Sequence, residues 1–325
     1  MQVRLRTILC CSLISILQVF LLPFIEARED TPNQISLYFE KTLFLDGLVN
    51  NNRLICVGEH GQIVLSDNLG KDWLLVESPV SVMLTSIDFT SDNVGWITGH
   101  DGIILKSENA GKNWTVVREK PEDDLPLFDV FFINDNVGLA VGAFSTILRT
   151  TDGGKNWQLI PPIDEQEPHL YDIAVSINEA GRERVYIAGE FGSLWVSSDL
   201  GETWDMLKTD YEGSFFGVLP AQSEKLFIYG LRGNIFQSDN LGQTWKKLKT
   251  DTRATVLSGI MFENSKQIMF SGLNGLLLKS TDYGNTFSQL EVSRRASFTK
   301  LVVIDEQNLL LLGEAGLQII AIKKQ

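Results

Sequence analysis

Polar and apolar positions along this chain alternate over short distances and never over long ones. Within residues 84–118 the runs LTSIDFT, VGWITG, GIILKS and NWTVVR follow one another, rich in Val, Ile, Leu and aromatics and bounded by Gly, Asn or Asp. Runs of this length and composition predict four β-strands, here called A, B, C and D. The quartet recurs along the chain. Its B strand ends each time on a glycine: Gly58, Gly99, Gly142, Gly189, Gly230, Gly272 and Gly313. The last unit has FTKLVVID, NLLLLGE and LQIIAI as A, B and C, and then no D strand. Ahead of the first A strand, ISLYF at 35–39 stands without a sheet of its own. Seven units with the N-terminal strand completing the last blade predict an all-β fold, a seven-bladed β-propeller over 28–325. Closure of that kind hides sheet edges, so deleting 28–40 should be severely destabilising.

The C–D connections repeat a second pattern. SDNLGKDW, SENAGKNW, TTDGGKNW, SSDLGETW, SDNLGQTW and STDYGNTF share a hydroxyl residue, then Asp or Asn, then Gly, then an aromatic. Their glycines, Gly70, Gly111, Gly154, Gly201, Gly242 and Gly284, lie 41, 43, 47, 41 and 42 residues apart, a period suited to four-stranded blades. A carboxylate that reacts is needed once or as an unequal pair. Here Asn68, Asn109 and Asn240 stand where Asp152, Asp199 and Asp282 stand in other copies. A turn accepts that exchange, because Asp and Asn both bond to local amides while Gly takes positive φ. The six side chains are therefore structural.

Composition narrows the function. The 28 basic against 41 acidic residues give no electrostatic basis for holding nucleic acid. Arg4 and Arg6, a charge-free apolar run and a small residue at Ala27 have the layout of a secretory signal over 1–27. A retained anchor is the rival, since the run is just long enough to span a bilayer. With the signal removed the chain should be exported to a periplasm, a lumen or the medium, without a membrane span, net −14, and monomeric. Cys56 lies in an apolar strand-like run and reads as a buried small hydrophobe. No cofactor, metal or catalytic motif is present.

The layout G-x-x-G-x-[IL]-x-x-[ST]-x-[DN]-x-G-x-x-W, as in GHDGIILKSENAGKNW and GEFGSLWVSSDLGETW, resembles the Asp-box, or bacterial neuraminidase, repeat. Over essentially the whole mature chain it is most similar to the photosystem II stability and assembly factor family. That resemblance implies an exported or lumenal seven-bladed propeller, without catalysis, that holds a membrane-protein subunit or another protein during assembly. Relatives occur in bacteria with no photosystem, so it implies a scaffold rather than a photosynthetic role. Sialidases fit less well: they resemble six-bladed propellers, and no RIP string occurs here.

The blade register puts D–A and B–C loops on one face, opposite the boxes. Arg232, Arg253, Arg294 and Arg295 fall there on neighbouring blades, a socket for an acidic partner segment, since guanidinium forks suit carboxylates. The resemblance implies a basic patch as well. Phe144 and Phe191 hold equivalent turns, with Tyr211 and Phe215 nearby, and exposed aromatics mark protein contacts. Glu59, His60, His100, Asp101 and Glu314 form a polar group whose spacing fits no known ligand motif. The alternative, a glycoside hydrolase or carbohydrate-binding propeller, needs paired carboxylates at the channel mouth, with Glu59, Asp101, Glu190 and Glu314 as candidates.

Overall fold

A computed structural model describes residues 39, 41–119, 125–177, 181–222, 224–262, 265–292 and 296–322. Among these residues, seven antiparallel sheets follow one another along the chain, six with four strands and the last with three. The inner A strands are Phe44–Asn50, Leu84–Phe89, Leu127–Phe132, Leu170–Ile177, Phe215–Pro220, Val256–Met261 and Phe298–Val303. They touch in chain order around a ring, and the seventh touches the first. The outer D strands are short, only two residues at Asp205–Met206, Lys246–Lys247 and Ser288–Gln289. Short edges of this kind, some carrying lysine, resist pairing with other chains.

Each B strand is buried along nearly its whole length, because both its faces meet a neighbouring blade. The core is accordingly a series of interblade seams. One seam joins Ile55, Val57 and Leu65 of blade 1 to Leu84, Ile97 and Leu105 of blade 2. The closing seam joins Phe44, Leu54 and Cys56 of blade 1 to Val302, Leu310 and Leu312 of blade 7. Burial, and then the nearby Asp46, raise the Cys56 thiol well above its ordinary pKa, as expected of an inert packing cysteine.

The boxes are six copies of one turn. In each, the hydroxyl donates to the Asp or Asn side chain two residues on, at 2.7–3.1 Å. The same hydroxyl accepts the box glycine's amide at 2.8–2.9 Å. The Asp or Asn Oδ1 accepts the amide four residues on, at 2.9 Å. Each hydroxyl residue is buried, whereas Asp199 is exposed. The hydroxyl, more than the acid, thus carries the buried bond. The glycine also allows a close approach between blades: a Cβ on Gly154 would lie 2.1 Å from the Trp96 ring of the preceding blade.

A second set of repeated bonds, which the sequence reading did not foresee, lies on the axis. The third residue of each A strand is Asp46, Ser86, Asp129, Asp172, Gly217, Ser258 or Lys300. Asp46, Asp129 and Asp172 each accept an amide of the next blade's A strand, from Ile87, Ile173 and Val218, at 3.0, 2.7 and 2.8 Å. Ser86 and Ser258 accept those of Val130 and Leu301 at 3.4 and 3.1 Å. Gly217 has no side chain to do this. The Tyr229 hydroxyl occupies its place, 2.2 Å from where a Gly217 Cβ would be, with its ring against Gly259 of the next blade. At the seam of blades 7 and 1 the clasp becomes ionic: Lys300 Nζ lies 2.8 Å from Asp46 Oδ1. Beside it, Thr299 donates to the Phe44 carbonyl at 2.7 Å.

Residues 1–27, expected to be a signal, and 35–38 of the expected closing strand lie outside the described residues. Its last member, Phe39, is buried, with its ring edge-on to Phe44 at 6.0 Å. Among the described residues, no helix is long and apolar enough to cross a membrane.

Candidate functional site

The B–C turns share a geometry that displays side chains. The residue two positions after the strand-B glycine has positive φ in six blades: His60, Asp101, Phe144, Phe191, Arg232 and Asn274, with φ of 53–61°. This left-handed conformation costs a non-glycine residue about 1–2 kcal/mol. Phenylalanine has no local hydrogen bond to offset it. Phe144 and Phe191 are nevertheless 53% and 57% exposed. Strained residues and exposed aromatics of this kind cluster where a ligand is held.

The loop before blade 5, that blade's B–C turn and the loop after its D strand bring three foreseen residues together. Tyr211, Arg232 and Arg253 line one groove of about 800 Å³ with Gly213, Leu231, Asn234, Lys247 and Glu212. Tyr211 is fixed in place: its hydroxyl donates to the Leu231 carbonyl at 3.3 Å and accepts from Asn234 Nδ2 at 3.1 Å. Its ring lies 5.3 Å from Phe215 and 5.5 Å from Phe236. Arg232 and Arg253 are exposed, so their guanidinium groups keep hydrogen-bonding capacity for a partner. Arg294 and Arg295 lie outside the described residues.

Phe215 does not reach this surface. It is completely buried in the seam between blades 4 and 5, and Phe216 takes the outward place. The strand is bulged between Phe215 and Gly217, and a bulge aims one residue out of the ladder. Equivalent bulges open the other A strands. The bulged residues Phe128, Tyr171 and Phe216 of blades 3, 4 and 5 meet at the channel mouth. Phe128 and Tyr171 are 5.6 Å apart, and Tyr171 and Phe216 are 4.8 Å apart. His169 extends the arc to Phe144, ring to ring at 5.0 Å, and its Nδ1 accepts the Phe144 amide at 3.1 Å. The sequence did hold a signal for these residues, an aromatic after the first position of three successive A strands. Plain alternation hid it.

Three of the four carboxylates considered for glycoside chemistry are bonded in place; the fourth, Asp101, sits at the positive-φ position of its turn. Glu59, Glu190 and Glu314 accept the amides of Leu43, His169 and Ser297 at 2.9, 3.1 and 3.2 Å. In each case the amide precedes that blade's A strand, so these glutamates clip strand A to the B–C turn. Glu190 also accepts from the Tyr171 hydroxyl at 3.0 Å, and burial, then the Glu190 charge, raise that phenol's pKa. His60 Nε2 lies 3.9 Å from Glu59 on the solvent side. Among the described residues, no three His, Cys, Asp or Glu side chains come together as a metal site.

Comparison with known proteins agrees with this architecture. A family model described as photosynthesis system II assembly factor YCF48 matches residues 26–126 and 119–257. No curated protein matches in sequence. Among solved structures, "YCF48 bound to D1 peptide" superposes with a TM-score of 0.70 at 19% identity, covering 88% of this chain and 95% of that one. YCF48 from Cyanidioschyzon merolae gives 0.69 at 14%, covering 87% and 96%. The WD40 propeller domain of Doa1 gives 0.69 at 11%, covering 88% and 94%. Shape alone therefore shows the fold, and the sequence family carries the distinction.

Proposed function

This chain belongs to the photosystem II assembly factor YCF48 family, and from that premise we propose that it is an exported, non-catalytic scaffold. It holds an acidic segment of a membrane-protein subunit on its B–C and D–A face while a complex is assembled or stabilised. The groove carries this reading: Arg232, Lys247 and Arg253 line it in a chain whose net charge is −13. Cations gathered against that balance favour an anionic partner, and guanidinium forks favour its carboxylates. A related structure with a bound D1 peptide supports a peptide as occupant. The glutamates on this face already bind backbone amides, which supports a role without catalysis.

Affinity capture from detergent-solubilised membranes tests this. The wild type should retain a subunit that Arg232→Glu/Arg253→Glu loses, and added salt should weaken retention because exposed charges are screened within about 8 Å at physiological ionic strength. Identical recovery by both proteins would refute it.

A further inference from the structure

Resting on the reading of the basic groove as a peptide site, we infer that the channel mouth beside it is an anchor pocket for one large apolar side chain of the same peptide. Phe128, Tyr171 and Phe216 form its wall across three consecutive blades. All three are half-buried rather than packed away, so ring surface remains open to a ligand. Leu257, the bulged residue of blade 6, continues the apolar rim. The wall is preorganised. Glu190 fixes the Tyr171 hydroxyl, and the His169 amide fixes Glu190. Rigid aromatics held in this way bind at little cost in side-chain ordering.

Position and charge select the occupant. Gly213 lines the basic groove and Phe216 follows three residues later, at most about 10 Å away. A peptide with its acidic residues on Arg232 and Arg253 therefore reaches the mouth with a side chain about three residues away. The occupant is an extended acidic peptide with one aromatic or aliphatic residue at that offset. Its apolar side chain slots against the rings, while its carboxylates meet the guanidinium groups.

Three fluorescein-labelled peptides test this. They share a Gly/Ser frame and a run of Glu, and differ only in carrying Phe, Leu or Ser three positions before the run. By fluorescence anisotropy the Phe and Leu peptides should bind the wild type at least tenfold more tightly than the Ser peptide. Phe128→Ser/Phe216→Ser should erase that preference and leave the weaker, salt-sensitive binding common to all three. Where the double variant fails to fold by circular dichroism, Phe216→Ser alone should reduce the preference. Arg232→Glu/Arg253→Glu should weaken all three peptides together. Equal binding of the three to the wild type, lost on arginine reversal, would overturn the anchor and leave the groove standing. A Phe preference untouched by arginine reversal would keep the anchor and overturn the groove. A preference that survives in correctly folded ring variants, or no binding by any peptide, would overturn the anchor.

Discussion

The propeller carries two belts of side chains that make the same bond in opposite surroundings. In the outer boxes, Asp152 and Asp199 accept backbone amides near solvent. The Asn156 side chain and amide hold the Asp152 carboxyl down at about 2. For Asp199, some desolvation pushes the other way, but bonds from Thr203 bring it to about 2 as well. On the axis, Asp88 and Asp172 also accept amides, from Phe132 and Val218, at 2.7 and 2.8 Å. Burial dominates there and pushes both up to about 6, although those amides pull down. Burial, followed by the neighbouring Asp172 charge, likewise drives Asp129 well above its ordinary value. An amide bond therefore does not fix a carboxylate's energetics; the water left around it does. The belts divide the work. The boxes make each blade's turn locally, and the axial ring fastens blades to one another.

The ionic closure offers the sharpest way to break the contrast. Lys300→Met removes the cation facing Asp46 and leaves buried acids on the axis without their lysine. A broken buried pair costs about 3–5 kcal/mol. Lys300 keeps 39% of its side-chain surface in the channel, so about 2–3 kcal/mol is expected by urea denaturation, with partial recovery in the Asp46→Asn background.

Acidity should move the two belts in opposite directions. For Asp88 and Asp172 the folded pKa of about 6 lies above the ordinary 3.8, so the folded state holds the proton more tightly. Their contribution is greatest at low pH and falls as pH rises through about 6. For Asp152 and Asp199, at about 2, stabilisation is present above 3.8 and falls as pH drops towards 2. Unfolding midpoints should therefore rise from pH 7 to pH 5 and decline below about 3.5. Asp88→Asn should make the first limb shallower and spare the second; an unchanged first limb would show that Asp88 does not titrate there.

Two smaller effects separate the belts further. Tyr229→Phe removes the hydroxyl that fills the place of a side chain at Gly217, an expected loss of about 1 kcal/mol. Ser197→Ala should cost about 1–2 kcal/mol by the same argument, and Asp199→Ala less, because Asp199 is exposed and water replaces its bond. Chemical denaturation of the three variants ranks them. Asp199→Ala costing more than Ser197→Ala would return the main role to the acid.

Features that depend on neighbours along the chain were open to sequence reading. The box turns, the strand-B glycines and the blade count all arise within about forty residues, where local bonds and alternation decide the outcome. That register also placed Arg232 and Arg253 on one face with Tyr211, and the structure brings the three into one groove. Phe215 shows where such reading stops. A bulge at the start of strand A turns Phe216 to the mouth and sends Phe215 into the core, and nothing in the alternation of FFGVLP announces it. The axial ring was hidden for a different reason. Asp46, Asp129, Asp172 and Lys300 are isolated charges in apolar strands, and their partners are amides of the next blade or an acid at the far end of the chain. The chain alone dictated how each blade is made, because those interactions are local. Packing of the blades around the ring decided which side chains face the axis, which acids lose their water and which aromatics meet at the mouth, because those depend on residues of different blades that only the tertiary structure brings together.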